Sequence, residues 1–268
     1  MNWVIGDIHG MHRPLSALLT AVSGADSEAQ FIFVGDYVNR GPDSRRVIDL
    51  LLTLPRATFL RGNHDDIFDL LVNGDCYICH PTAPNRITAF TWFIQHGLAE
   101  TLMSYGVDGG ELDAALQKPS DAVLDQMLKV VPPEHRRFFR GLEAVYESSD
   151  FFVAHGYWDP DEPDSSPSLA NRLGDDAQLR YQLLWGRFSE SQLTRKKKWT
   201  RTGYFGHTPI SSYRTSGGDL VPIRGNNIVL LDTASALSTV GMLSAVCTKD
   251  GAIIQADRAG EIFKSSGD

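Results

Sequence analysis

The chain has 268 residues, of which 42% are hydrophobic and 22% charged, enough for one large α/β core or at most two small ones. Its net charge of −8 and its pI of about 5.4 give no electrostatic reason to bind nucleic acid. No apolar run approaches a membrane span, and no basic leader precedes the strand predicted at residues 3–5. We therefore expect a cytoplasmic protein without a nucleic-acid or membrane partner.

The opening 75 residues alternate apolar runs with helical stripes. The stripes are Leu15, Leu18, Leu19 and Val22, then Val47, Leu50, Leu51 and Leu54, and finally Ile67, Leu70 and Leu71. Helices between consecutive apolar strands are typical of crossover connections between parallel strands. This part of the chain is therefore predicted to be βαβαβα.

Each predicted strand of this part ends in a short polar motif. The motifs are Gly-Asp-Ile-His-Gly at 6–10, Gly-Asp-Tyr-Val-Asn-Arg-Gly at 35–41 and Gly-Asn-His-Asp at 62–65. Carboxylates, imidazoles and an amide thus lie where buried strands leave a sheet, which is where ligand sites of open α/β folds gather.

Residues 87–140 are predicted to be mostly helical and to form a helical cap. From residue 151 onward the apolar runs are short, at 203–206, 227–231, 240–247 and 252–255, and they indicate a second, mainly antiparallel sheet packed on the first. The predicted class is α/β, with two packed mixed β-sheets forming a sandwich flanked by helices. Because polar groups at both ends of the chain must meet, one domain is expected over 1–268.

Two later runs also end in histidine, at His155 and His207. Together with the early motifs they supply oxygen and nitrogen donors that suit two divalent ions about 3.5–4 Å apart, which need one bridging carboxylate. The predicted metal ligands are Asp7, His9, Asp36, Asn63, His155 and His207.

In their order along the chain and in their residues, these motifs resemble those of the calcineurin-like metallophosphoesterases. The resemblance is to the phosphoprotein phosphatase group in particular, with its bacterial protein phosphatases and diadenosine tetraphosphatases. The resemblance spans nearly the whole chain. It implies that Asp7 and His9 bind the first metal, that Asp36 bridges, and that Asn63, His155 and His207 complete the second site.

The resemblance also implies catalytic roles. His64 would be the acid beside the leaving group, oriented by Asn39, and Arg40 would clamp the substrate phosphate. Arg187, in Leu-Trp-Gly-Arg at 184–187, would be a second phosphate-binding arginine. A hydroxide bridging two divalent ions, manganese first and iron or zinc as alternatives, would attack phosphorus directly.

Two positions depart from the protein phosphatases of this group. They usually carry aspartate at the position of Asn39 and glutamate at that of Asp65. At both positions this chain is more similar to the diadenosine tetraphosphatases. Since an amide cannot neutralise an imidazolium, we expect a lower pKa for His64 and slower turnover of substrates with poor leaving groups.

The preferred function is that of a metal-dependent phosphomonoesterase, with a phosphorylated protein or a small phosphoester as substrate. The specific enzyme expected is a serine/threonine protein phosphatase that also accepts phosphotyrosine. The first alternative is hydrolysis of dinucleoside polyphosphates of the bis(5'-nucleosyl)-tetraphosphate type. The second is an inactive phosphate-binding regulatory module, for which Asn39 is the only support. Oligomeric state is left open.

The remaining cysteines and histidines are given no catalytic role. The three cysteines are an odd number, which argues against a disulfide framework. Cys76 and Cys79 belong to a C-x-x-C-H stretch, for which haem attachment and a zinc clip are alternatives to a loop with ordinary buried or redox-sensitive thiols. The histidines outside the motifs are predicted to be structural or solvent-facing, and they are His12, His80, His96 and His135.

Overall fold

The computed structural model describes residues 1–164 and 168–266. The predicted single domain over 1–268 therefore includes residues 165–167 and 267–268, which lie outside the described part. The strands are β1 Asn2–Ile5, β2 Gln30–Phe33, β3 Ala57–Phe59, β4 Val145–Glu147, β5 Phe151–Ala154, β6 Thr202–Phe205, β7 Ile223–Gly225, β8 Ile228–Leu230, β9 Met242–Cys247, β10 Ile253–Asp257 and β11 Ile262–Ser265.

The α-helices lie between these strands. They are α1 His12–Ala25, α2 Ser44–Leu51, α3 Asn63–Asn73, α4 Arg86–Phe93, α5 Leu98–Ser104, α6 Gly109–Gln117, α7 Asp121–Met127, α8 Pro133–Arg140, α9 Leu169–Leu173, α10 Ala177–Trp185 and α11 Glu190–Thr194. Short 3₁₀ turns occur at Ile94–His96, Leu128–Val130, Ile210–Ser212 and Arg214–Ser216.

The first sheet has the strand order β11-β10-β9-β1-β2-β3. Strands β1, β2 and β3 are parallel and are joined through α1 and α2, which confirms the predicted βαβαβα start. Strand β1 alternates sides as a strand must. Trp3 and Ile5 pack under the helices, whereas Val4 faces the second sheet.

The second sheet has the order β4-β5-β6-β8-β7, and its three central strands are parallel. The prediction of a mainly antiparallel sheet is therefore wrong, because only the edge strands β4 and β7 pair antiparallel. The physical signal was present: β5 and β8 are continuous apolar runs buried along their whole length, a pattern typical of parallel strands covered on both faces.

The last three strands belong to the first sheet. Strand β9 pairs antiparallel with β1, and β10 and β11 continue outward from it. The apolar runs at 240–247 and 252–255 do form strands, but their predicted place in the second sheet is wrong. Periodicity identifies a strand without identifying its partner, because pairing depends on contacts that are distant in sequence.

A buried apolar layer between the sheets confirms the predicted sandwich. It includes Val4 and Ile32 from the first sheet and Val153, Tyr204 and Val229 from the second. Helices cover the outer faces, as predicted. Residues 86–140 contain helices α4 to α8, and their role as a substrate-selecting cap stays a prediction.

The segment after α3 differs from its predicted chemistry. Cys76 and Cys79 are joined by a disulfide, so the argument against disulfides from an odd number of cysteines is wrong for this pair, and Cys247 is free and buried. His135 is structural, as predicted, since its ring nitrogens lie 2.9 Å from the Tyr105 hydroxyl and 3.0 Å from an Asp49 carboxylate oxygen. No helix of the described residues is long and apolar enough to cross a bilayer.

A buried ion-pair cluster ties α3 to the loop after β3. The Arg61 guanidinium donates to Asp66 at 3.0 Å, to Asp69 at 2.8 Å and to the Phe139 carbonyl at 2.7 Å. Burial raises the pKa of Asp66 to about 6, although Arg61 lowers it. We expect Arg61→Ala to lower the free energy of unfolding by about 3–5 kcal/mol, because two carboxylates lose their buried partner.

Urea denaturation measures this change. The matched control is Arg56→Ala, which breaks an exposed pair with Glu28 and should cost at most about 1 kcal/mol. Equal losses from the two variants would contradict a special role for the buried cluster.

Candidate active site

The candidate site lies where strands of both sheets end. Asp7, Asp36 and Asn63 follow β1, β2 and β3, while His155 and His207 follow β5 and β6. All of the predicted metal ligands are buried, with exposed fractions between 0% and 5%. The topology therefore brings predicted metal-binding side chains that are about 200 residues apart in sequence to one edge of the sheets. The backbone N–H of His207 donates to Asp7 Oδ2 at 2.9 Å.

Asp36 occupies the middle of this group. Its Oδ2 lies 3.5 Å from His9 Nε2, and its Oδ1 lies 3.5 Å from His155 Nε2. The backbone N–H of His64 donates to Oδ1 at 3.0 Å. One carboxylate with an imidazole near each oxygen is the arrangement that a bridging ligand between two ions requires. Burial raises the pKa of Asp36 to about 7.

On one side of Asp36, two imidazoles converge on one amide oxygen. Asn63 Oδ1 lies 3.0 Å from His155 Nε2 and 2.9 Å from His207 Nδ1. Donor atoms of Asp36, His155 and His207 all lie within 4.8 Å of one another. This is the set predicted for the second metal.

On the other side, donor atoms of His9, Asp36 and His64 lie within 4.8 Å of one another. The family resemblance implies that Asp7 is a ligand of this first metal and that His64 is a separate acid. In the structure the His64 ring packs edge-on against the His9 ring, with centroids 4.8 Å apart. The predicted acid is therefore in contact with a predicted ligand.

Backbone carbonyls orient two of the imidazoles. The Nδ1 atoms of His9 and His155 lie 2.9 Å from the Val38 carbonyl and 3.0 Å from the Val34 carbonyl. Burial lowers the pKa of both rings, to about 3 for His155, so both are neutral at pH 7. A neutral ring that donates through Nδ1 presents the lone pair of Nε2, which is the form that binds a metal.

Three buried polar atoms at this edge have no hydrogen-bond partner in the described part of the chain. They are Asp7 Oδ1, His207 Nε2 and Asp232 Oδ2. Burial and the neighbouring carboxylates Asp36 and Asp232 raise the pKa of Asp7 well above its ordinary value. Because buried acceptors normally have partners, these atoms fit cation ligands well.

Asp232 is a residue of this site that is missing from the ligands predicted from sequence. It follows β8, its Oδ1 accepts from the Ala234 backbone N–H at 3.0 Å, and burial raises its pKa. The run at 228–231 ends in this aspartate just as the earlier runs end in their ligands. That recurring strand-end position was the available signal.

Strained backbone is concentrated at the same edge. Among the described non-glycine residues, positive φ occurs at His9, Asp36, Asn39, Arg40 and His207, with values from 48° to 72°, and also at Asn227 and Ala234. Such conformations are costly for side chains with a Cβ and persist where the surroundings over-determine them.

Two glycines allow close backbone approach. A Cβ on Gly62 would lie 2.1 Å from Asp36 Oδ1, and one on Gly206 would lie 2.0 Å from Asp7 Oδ1. The Asp65 carboxylate supports the same region by accepting backbone N–H groups of Asp36 at 2.7 Å and of Gly62 at 3.0 Å. Asp65 therefore holds the loops in register and does not line the cavity.

Asn39 contacts His64 as predicted from the resemblance. Its Nδ2 lies 2.9 Å from His64 Nδ1, while its Oδ1 accepts from the Thr101 hydroxyl at 3.0 Å. Thr101 in turn accepts the Asn39 backbone N–H at 2.7 Å. Burial, then the nearby His9 and Arg40, lowers the pKa of His64 well below its ordinary value.

The two predicted arginines line one cavity. Arg40 contacts His9 Nε2 through Nη1 and lies 3.2 Å from His64 Nε2 through Nη2. Arg187 is exposed, and its Nη1 donates to the Thr208 hydroxyl at 3.1 Å. The cavity is lined by Arg40, Asn63, His64, Trp92, Phe93, His96, Trp185, Arg187 and His207. His96 therefore lies at the candidate site, although it was predicted to be structural or solvent-facing.

Known proteins resemble this chain in sequence and in fold. A profile of the family described as calcineurin-like phosphoesterase matches residues 3–233. A segment of 81 residues is 38% identical to a symmetrical bis(5'-nucleosyl)-tetraphosphatase of Legionella pneumophila (strain Corby), over 30% of this chain and 29% of that relative. A segment of 64 residues is 40% identical to the protein of the same name from Coxiella burnetii (strain Dugway 5J108-111), over 24% of this chain and 22% of that relative.

A solved structure named as that of a candidate diadenosine tetraphosphatase superposes with a TM-score of 0.53, over 99% of this chain and 93% of that chain. At 19% identity this likeness concerns the fold. The segments matched to the two curated relatives are less than a third of their length.

Proposed function

Because the chain belongs to the calcineurin-like phosphoesterase family, we propose that it is a metal-dependent hydrolase of dinucleoside polyphosphates, cleaving a phosphoanhydride bond. The proposal reverses the order of the two enzymatic functions inferred from sequence. Two observations support the change: the contact between Asn39 and His64, and the names of the relatives that match part of the chain.

The preference for an anhydride substrate rests on the Asn39 amide. In its hydrogen-bonded orientation Oδ1 accepts from Thr101, so Nδ2 faces His64 Nδ1 as a donor and offers no negative charge to the ring. An amide does not stabilise an imidazolium, and Arg40 at 3.2 Å from Nε2 opposes a second positive charge. Neither neighbour stabilises a protonated His64, so we expect this histidine to be neutral at pH 7 and a poor proton donor to the leaving oxygen.

Substrates differ in how much acid they need. The alkoxide released from a phosphoserine ester needs a proton, and general acid catalysis supplies roughly 10²–10⁴-fold in such cases. The nucleoside polyphosphate released from an anhydride leaves readily as an anion. A site with a neutral histidine beside the leaving group therefore favours anhydrides.

The residues that would hold the metals are the six predicted ligands, together with Asp232. When bound, two divalent ions supply an ionised water at neutral pH and positive charge for the transferred phosphoryl group. Arg40 and Arg187 would bind phosphoryl oxygens through paired charge-assisted hydrogen bonds. Two guanidinium groups could bind two phosphates of a polyphosphate chain.

Phosphoprotein hydrolysis is the second candidate, because one observation favours it. Arg187 is exposed at the mouth of the cavity, so a phosphorylated side chain on another protein's surface could reach it. The metal centre would be the same for both substrates.

A substrate panel separates these functions. Manganese-loaded protein is offered diadenosine tetraphosphate, peptides with phosphoserine, phosphothreonine or phosphotyrosine, and p-nitrophenyl phosphate. Asp36→Asn prepared identically corrects for contaminating phosphatases. We expect the highest kcat/KM for diadenosine tetraphosphate. Preference for a phosphopeptide would restore the protein phosphatase, and no turnover of any substrate with manganese, iron, zinc or cobalt would indicate the inactive module.

Asn39→Asp tests the argument from the leaving group. The new carboxylate can still accept from Thr101, and it stabilises the imidazolium, which raises the pKa of His64. We expect kcat/KM for β-glycerophosphate to rise about tenfold relative to that for p-nitrophenyl phosphate, whose leaving group needs little protonation.

The matched control is Asn227→Asp, at another asparagine with positive φ, which donates to the Trp199 carbonyl away from the cavity. It should leave the ratio of the two kcat/KM values unchanged. If Asn39→Asp also leaves that ratio unchanged, Asn39 does not set the protonation of His64.

A further inference from the structure

We propose that a row of aromatic rings beside the cavity is the binding site for one nucleobase of the substrate. The row, called the aromatic wall below, consists of Trp92 and Trp185 at the cavity with His80 and Tyr181 behind them. The inference rests on the proposed function and names residues that would select nucleotides over other phosphoanhydrides.

Three ring pairs of the aromatic wall have planes inclined by 26° or less, whereas His80 is tilted by 51° against Trp185. Trp92 and Trp185 have centroids 5.8 Å apart and planes inclined by 25°. His80 stacks on Trp92 at 4.6 Å and 26°, and Tyr181 lies 6.4 Å from Trp185 at 19°. A hydrogen-bonding contact of 3.2 Å between the Tyr181 hydroxyl and His80 Nε2 orients the rear of the wall.

The wall is not part of a closed core. All four rings are half-buried, and Trp92 and Trp185 line the cavity with the two arginines. Large aromatic rings that remain partly exposed beside a polar cavity are typical of ligand sites. None of these rings was predicted from sequence to lie at the site, and His80 was predicted to be structural or solvent-facing. The rings come from α4, α10 and the segment after α3.

The wall is also next to the reacting centre. The ring centroid of Trp185 lies 6.4 Å from that of His207, and that of Phe93, the neighbour of Trp92, lies 5.0 Å from that of His64. Arg187 is two residues beyond Trp185. A base on the wall would therefore be joined through its ribose to phosphates that lie between the arginines and the predicted metal ligands.

The aromatic composition of the wall favours a base over a peptide side chain. Every nucleobase has a π face, and its stacking on an aromatic residue is tolerant of base identity. The net charge of −8 gives no general attraction for polyanions, so the local pair Arg40 and Arg187 would supply it. We therefore expect adenine and guanine dinucleotides to be accepted alike.

Trp92→Ala tests the wall in the manganese-loaded enzyme. We expect KM for diadenosine tetraphosphate to rise about tenfold, the order lost with one base–aromatic stack, while kcat stays within about twofold. Inorganic tetraphosphate, which has no base, should be hydrolysed as by the wild type. Trp92→Phe should restore most of the lost affinity, and Phe263→Ala, an exposed aromatic on β11, is the control.

Equal increases in KM for tetraphosphate and diadenosine tetraphosphate would overturn the proposal. So would a loss confined to phosphopeptides, which would assign the wall to a peptide. If Trp92→Ala does not fold, Trp92→Leu keeps an apolar side chain without the π face and should show the same selective loss.

A binding measurement separates this inference from the proposed function. Titration of metal-free protein with AMP, followed by calorimetry, reports on the wall without turnover. If the wild type fails to hydrolyse diadenosine tetraphosphate, the proposed function fails, yet weaker AMP binding by Trp92→Ala would still support the wall. Equal AMP binding by both proteins, or none by the wild type, would overturn it.

Discussion

Asp36→Asn is expected to abolish most of the activity, lowering kcat/KM roughly 10³-fold. The Asp36 carboxylate oxygens lie 3.5 Å from His9 Nε2 on one side and 3.5 Å from His155 Nε2 on the other. An amide at this position has one oxygen and no charge, so it cannot bridge two cations. Metal analysis of the purified variant should find fewer than two ions per chain, and kcat/KM should be measured under saturating manganese.

The control is Asp150→Asn, at an exposed carboxylate outside the cavity, which should keep the wild-type activity and metal content. Full metal occupancy in Asp36→Asn would show that this residue does not bridge. Treatment of the wild type with a chelator should likewise remove activity, and added manganese should restore it.

The same variant should change how stability depends on pH in the metal-free protein. Burial raises the pKa of Asp36 to about 7, so the folded state binds a proton that the unfolded chain has already released above its ordinary pKa. The contribution of Asp36 is therefore fully present at low pH and is lost as pH rises toward 7. Metal-free Asp36→Asn should show a smaller fall in Tm between pH 5 and pH 7.5 than the wild type.

Arg40→Ala is expected to produce the next largest loss, roughly 10²–10³-fold in kcat/KM. The guanidinium lies 3.2 Å from His64 Nε2 and also contacts His9, so it lies beside a predicted ligand of the first metal and the predicted acid, and it lines the cavity. There it would neutralise charge on the transferred phosphoryl group more strongly in the transition state than in the bound substrate. We therefore expect kcat to fall more than KM rises.

Arg40→Lys should recover little, because an ammonium keeps the charge but loses the paired geometry of the fork. Arg56→Ala, which removes an exposed arginine paired with Glu28, is the control and should leave both kinetic constants unchanged. If Arg40→Lys has full activity, Arg40 acts only through its positive charge, and the paired geometry of its guanidinium is not needed.

Some of the architecture could be predicted because it is encoded locally. The helical stripe of α1 and the apolar runs of β1 and β2 are short-range periodicities, and parallel pairing follows from the crossover helices. The polar motif after each strand then places its side chains at one edge of the sheet, whichever neighbours the strand has.

Other features depended on contacts that no local pattern specifies. Strand β9 pairs with β1 across almost the whole chain, and its alternation would have suited either sheet. The same holds for Asp65, whose carboxylate accepts the backbone N–H of Asp36 and does not line the cavity.

By itself, then, the amino-acid sequence determined the parallel start of the fold, the family resemblance and the donors at the strand ends. Only the tertiary structure decided that Asp232 has a buried oxygen without a partner among the described residues, and that Trp92 and Trp185 stack beside the cavity. The physical reason is that burial and stacking are properties of residues brought together by packing, whereas periodicity and motif order are properties of neighbours along the chain.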